Sequence, residues 1–126
     1  MQGDTTTQAL RRRLVVALAR ATKGQDHTTA IALRSTLAVL ATAEAVHGRT
    51  APRGPSGEPV PQELSELEVV GIVAAEAELR ERAAARYSDS GDLRRARRML
   101  AEAEVLRAFL DDGAGPGQHE GPPPQG

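Results

Sequence analysis

All eight prolines of this 126-residue chain fall in two stretches, residues 52–61 and 116–124, and glycine gathers around both. Proline lacks the amide that an α-helix needs and clashes with the preceding turn, so neither stretch lies inside a helix. The first breaker, 48–62 (Gly48, Pro52, Gly54, Pro55, Gly57, Pro59, Pro61), is longer than most helix–helix connections and reads as a flexible loop. The second, 113–126, carries Pro122, Pro123 and Pro124 in succession with almost nothing to bury, and reads as a disordered tail. An ordered helical domain is expected over residues 1–112.

Helix start and stop signals divide that domain into four. The first helix is expected over Thr6–Lys23, entered through Asp4 and closed by Gly24. The second is expected over His27–His47, with Asp26 as N-cap and Gly48 past its end. The third is expected over Leu64–Ser88, with Glu63, Glu66 and Glu68 beside its positive pole. The fourth is expected over Leu93–Leu110, capped by Asp92 and ended by Gly113. Short links between the first and second helices, and between the third and fourth, favour antiparallel neighbours. The fold class is all-α: a four-helix up-down bundle or paired helical hairpins.

Composition narrows the chemistry. Aromatics are 2% of the chain, Tyr87 and Phe109, and both are expected in the core. Much of the apolar fraction is alanine, so the core must be close-packed and thin. There is no cysteine, which excludes disulfides, thiolate catalysis and zinc–thiolate sites. Sixteen basic residues against seventeen acidic ones leave no global field to attract nucleic acid or membrane. The apolar run Leu14–Ala19 is too short for a membrane span, so a cytoplasmic protein with no membrane partner is expected.

Winding each helix at about 100° per residue places charges where the core should be. On the second helix Ala30, Leu33, Leu37, Ala38, Ala41 and Ala45 form a stripe with Arg34 in its middle and Glu44 along one side. On the third, Val69, Val73, Ala77 and Tyr87 share a face with Glu76 and Arg80. On the fourth, Glu102 borders the Leu93–Ala96–Leu100–Ala103–Leu106–Leu110 stripe. Guanidinium does not neutralise on burial, so Arg34 and Arg80 need carboxylates, and Glu44, Glu76 and Glu102 are at hand. One reading is a cross-helix ion-pair network that fixes register, a second is a polar patch that recognises a ligand or partner, and the last is a hydrolytic carboxylate pair, which has no cleft-forming architecture to support it.

The same residues carry a wider pattern. Leu33, Arg34 and Glu44 match an "LR…E" helix; Arg80, Tyr87 and Gly91 match "R…[YF]xxxG"; Ala96, Glu102, Leu106, Phe109 and Leu110 match "A…E…L..[FY]L". In order and spacing this resembles the YqeY-like family, related to the C-terminal domain of the B subunit of the tRNA-dependent amidotransferase. The resemblance spans roughly Leu10 to Leu110. It resembles the short form found among actinobacterial members, without the distal three-helix subdomain, and Asp92 stands where many members have arginine.

The resemblance implies an accessory or tRNA-associated module of amidotransferase-type metabolism, with tRNA or an amidotransferase or aminoacyl-tRNA component as partner. Two arginine clusters could meet tRNA phosphates: Arg11, Arg12 and Arg20 on the first helix, and Arg94, Arg97 and Arg98 on the fourth. The alternative for the latter is a solvated face with support such as Arg98–Glu102. No catalytic residue is expected. A Ser–Ser–Lys glutaminase needs a lysine and the chain has one, Lys23, at a helix end; no glycine-rich phosphate loop exists; His27, His47 and His119 stand singly. Neither metal nor cofactor is expected, and a carbon–nitrogen ligase activity with glutamine as amido donor would belong to a holoenzyme. The competing function is a protein–protein adaptor, or a homodimeric module, with no RNA role.

Overall fold

The computed structural model describes residues 2–50, 54–57 and 63–113. The tail from residue 114, and residues 51–53 and 58–62 of the long connection, lie outside the described residues, so their expected disorder and flexibility go with them. Among the described residues there are four helices: α1 (Gln2–Lys23), α2 (His27–Thr50), α3 (Glu66–Asp89) and α4 (Leu93–Gly113). No strand occurs among the described residues, and the all-α architecture follows as expected. The α3–α4 hairpin is the most extensive pairing, followed by α1–α2, and α2 joins the two by lying against α4.

Both short turns use one device. Lys23 and Asp89 end their helices, and the left-handed residue that follows is Gln25 (φ 61°) in the first turn and Gly91 (φ 85°) in the second. Asp26 then donates its amide to the Ala21 carbonyl at 2.8 Å, and Asp92 to the Tyr87 carbonyl at 2.8 Å. This is the six-to-one bond of a Schellman ending. The same two aspartates cap the next helices, accepting from the amides of Thr29 and Arg95 at 3.1 Å each. The glycine of the "[YF]xxxG" pattern thus has a conformational reason, whereas in the first turn it is Gln25, not the expected Gly24, that takes the left-handed conformation. Gly91→Ala should lower stability by about 1–2 kcal/mol, and Gln25→Gly should raise it by up to about 1 kcal/mol. Urea denaturation of the two variants checks the opposite signs.

Several helix ends differ from expectation. Gly48 did not stop α2, which runs to Thr50, because a glycine stops a helix only when it turns left-handed, and here it stays helical. Likewise α4 continues through Gly113, and α1 begins at Gln2 rather than Thr6. The third helix starts at Glu66 behind a capping box: Ser65 Oγ accepts from the Glu68 amide at 3.0 Å and Glu68 Oε1 from the Ser65 amide at 2.7 Å. Leu64 therefore precedes the helix, and it is buried in the same cluster as Val69, the geometry of a hydrophobic staple.

The core runs through Leu10, Leu14, Leu33, Leu40, Val73, Ala77 and Leu106, with Phe109 and Leu110 packed against it. On α2 the buried arc is rotated from the expected stripe. Ala32, Leu33, Thr36 and Leu40 are fully buried, while Ala38, Ala41 and Ala45 are exposed. Leucine gains far more than alanine on leaving water, so Leu33 and Leu40, with Leu37 half-buried beside them, decide which side turns inward. On α4, Leu93 and Leu100, expected in the core, are half exposed.

The hydroxyl of Thr36 is buried with no hydrogen-bond partner among the described residues. An unpaired buried hydroxyl costs about 1–3 kcal/mol, and valine has nearly the same shape. Thr36→Val should raise the stability by about 1 kcal/mol, read from the denaturation midpoint.

Candidate functional site

The expected five-residue charge network resolves into three separate arrangements. At the first, Arg80 lies between α2, α3 and α4 with most of its donors engaged. Its Nε donates to Glu102 Oε1 at 2.9 Å, one terminal nitrogen to Glu76 Oε1 and the Glu76 carbonyl at 3.0 Å each, and the other to Ser35 Oγ at 3.1 Å. The side chains of Arg80, Glu76 and Glu102 are 11%, 13% and 5% exposed. One cation thus holds two carboxylates in a nearly dry site.

Glu44 is not part of it. On α2 it pairs instead with Arg11 of α1, both side chains about a quarter exposed. Arg11 is therefore committed within the fold and is not available as the phosphate ligand it was expected to be. Arg34 is exposed, with no ion pair among the described residues. Its expected burial fails because the α2 stripe that would have contained it is the one the fold rotated outward.

A further cross-helix pair had no sequence expectation. Arg107 on α4 meets Glu81 on α3 through two parallel bonds of 3.0 and 2.8 Å. Its signal was the position of Glu81 beside Arg80, on a helix whose antiparallel mate carries a second arginine. The Arg107 bond holds the Glu81 carboxyl below its ordinary value, and hydrogen bonds from Thr29 and Ser65 do the same for Asp26 and Glu68. Such a carboxyl binds its proton less readily folded than unfolded. Its stabilisation is complete above the ordinary range, 3.8 for Asp and 4.5 for Glu, and is lost as pH falls through the lowered folded value. Thermal melts should show Tm falling below about pH 4.5, and falling less in Glu81→Gln.

The two aromatics are half-buried rather than core, and each is covered by an arginine. Arg13 lies 5.4 Å from the Phe109 ring centre and donates to the Phe109 carbonyl at 3.1 Å. Arg95 lies 5.8 Å from the Tyr87 ring and pairs with Asp92 at 3.4 Å. Neither ring is presented to stack on a base.

The arginine clusters occupy different ends of α4. Arg12 and Arg20 are exposed and border a shallow depression with Arg13, Phe109 and Asp112, at the C-terminal end of that helix. Arg20 and Lys23 also sit in the last turn of α1, where they complement its negative pole. Arg94, Arg97 and Arg98 lie at the N-terminal end, about 18 Å away along the axis from Phe109. All three are exposed, and none has an ion pair among the described residues. The expected Arg98–Glu102 support is missing because Glu102 turns inward to Arg80. No acid lies in the first turn of α4, but the Asp92 carboxylate caps its positive pole, so the charge of this face is that of the guanidinium groups themselves. Arg97 also borders an apolar groove with Leu93, Leu100, Ala84 and Ala85.

Among the described residues no group of three His, Cys, Asp or Glu side chains is placed to hold a metal ion. His27 is exposed, His47 is half-buried, and His119 lies outside the described residues. The chain matches no family model, no curated protein and no solved structure.

Proposed function

We propose that this chain is a non-catalytic, YqeY-like helical module that binds tRNA phosphates through the first turns of α4, as an accessory to amidotransferase-type metabolism. The observation that carries the RNA contact is the exposed trio Arg94, Arg97 and Arg98, set in the first two turns of α4 and without an ion pair among the described residues. Internal acids neutralise Arg11, Arg80 and Arg107, so this face keeps a positive charge that the near-neutral composition conceals. Support for the family reading comes from the residues that carry the resemblance. Arg80 and Glu102 meet at 2.9 Å, Gly91 supplies the left-handed turn, and Leu33 and Leu106 are core.

Binding by such a surface draws its energy from counterion release, so log affinity should fall linearly with log salt. With Tyr87 and Phe109 both half-buried and a small footprint, Kd at physiological salt should be no tighter than about micromolar, the non-specific range. Filter binding of total tRNA across a salt series tests it. A flat salt dependence rules out this surface. A specific observation favours a second reading, an adaptor with no RNA role: the outward side of α2 is apolar and almost uncharged. Absence of RNA binding even at low salt would leave that reading standing.

A further inference from the structure

Among the described residues, α2 is the helix long and apolar enough to cross a membrane, yet over its most apolar window, within His27–Gly48, only 28% is buried. Ile31, Val39 and Val46 on its outward side are 49%, 36% and 45% exposed. A helix that packs one face and leaves the opposite face apolar is built to be covered on both.

The pattern on that outward face says by what. Reading along it, the exposed Ile31, Ala38, Val39 and Val46 follow one another at intervals of 7, 1 and 7 residues. The order is the same in both directions about the midpoint between residues 38 and 39. The chemistry is mirrored too: β-branched aliphatic with β-branched aliphatic at the ends, small aliphatic with aliphatic at the centre. At about 100° per residue, each mirrored pair also straddles one line along the helix, Ile31 and Val46 by about 30° and Ala38 and Val39 by about 50°. A two-fold axis through that midpoint would set each side chain beside its mate from a second copy, the self-complementarity an isologous interface requires. The surface is concave at the same place, where Ser35, Ala38, Val39, Thr42 and Ala43 line a shallow groove. Small side chains there let two helix axes approach to about 8 Å. The strip itself carries no charge, so a charged partner would be desolvated without compensation, whereas a second copy is neutral where this one is neutral. Arg34, about 90° from the line, stays at the solvated rim.

We propose that the chain forms a two-fold homodimer by antiparallel pairing of α2 about the Ala38–Val39 midpoint. This is a specific form of the adaptor reading and stands apart from RNA binding by α4. The strip is about 22 Å long, which places the interface at the small end of specific contacts and its affinity near micromolar.

The chain has no cysteine, so single introduced cysteines report the geometry directly. Ala38→Cys lies next to the axis, within disulfide reach of its own copy, and should cross-link on mild oxidation. Ile31→Cys alone should not, because its copy is about 22 Å away, while a mixture of Ile31→Cys and Val46→Cys should. In sedimentation equilibrium the wild type should be a dimer at about 100 µM, and Ala38→Arg should raise the dissociation constant at least about tenfold with an unchanged helical spectrum. Should Ala38→Arg misfold, the cysteine arms still decide. Self-cross-linking of Ile31→Cys overturns the antiparallel arrangement. A wild type that is monomeric at every concentration overturns the dimer while leaving a different protein or a lipid surface to cover α2.

Discussion

Arg80→Ala should cost about 3–5 kcal/mol of unfolding free energy, the largest effect of any single substitution considered for this chain. The removed guanidinium leaves two carboxylates, Glu76 and Glu102, facing each other across a nearly dry site, with Ser35 Oγ losing its donor. Of a total stability of roughly 5–15 kcal/mol for a domain of this size, that loss is enough to depopulate the folded state of a marginal protein. Arg34→Ala should change stability by no more than about 0.5 kcal/mol, because that side chain touches solvent. Replacing Arg80, Glu76 and Glu102 together by apolar residues of similar volume should recover most of the loss, since no charge is then left buried alone. Urea denaturation of the single and triple variants measures all of this. Arg80→Ala with wild-type stability would mean that the site is wet, and that Glu76 and Glu102 are solvated rather than paired.

Replacing Arg94, Arg97 and Arg98 together with glutamate should nearly abolish tRNA binding, whatever the tRNA sequence. If the three arginines neutralise three phosphates, a fourfold rise in salt should weaken the wild type roughly 40-fold, and the variant should lose that dependence. The fold should not suffer. These side chains make no ion pair among the described residues. Arg94, in the first turn of α4, opposes the helix dipole, so glutamate there should add about 0.3–1 kcal/mol. A variant that is at least as stable and no longer binds separates a binding face from a structural one. Full retention of binding would place any RNA contact elsewhere, with the Arg12–Arg20 end of α1 as the next candidate.

How far the sequence was legible depended on whether a residue had one place to go. The four helices were, because the prolines divide the chain into two helical halves and Asp26 and Asp92, each following a stop signal, divide each half at a turn. Arg80, Glu76 and Glu102 were legible as well: α3 and α4 each have one dominant apolar edge, and a three-residue turn sets their register. The orientation of α2 was not. Alanine, valine and leucine run almost all the way round it, so periodicity offered several equivalent faces and the choice fell to the leucines. Arg34 was misplaced for that reason, whereas Glu44 sits on the leucine side as expected and differs only in its partner, Arg11 of α1. The aromatics were misread because composition treats Tyr87 and Phe109 as apolar payload, whereas their ring faces also attract the guanidinium groups of Arg95 and Arg13.

Asp26 and Asp92 each close one helix and open the next, and this ties the helices together in time as well as in space. The amide of each aspartate secures the end of the helix before it, and the carboxylate secures the start of the helix after it. Neither helix of a hairpin can fray at its turn without loosening the other, so α1–α2 and α3–α4 each open as a unit. Most interhelical contacts within each unit are also close in sequence, which keeps the loop-closure cost small and the folding fast. The capped amide hydrogens of Thr29 and Arg95 should then exchange as slowly as those in mid-helix, unlike amides at the far end of α2 next to the long connection.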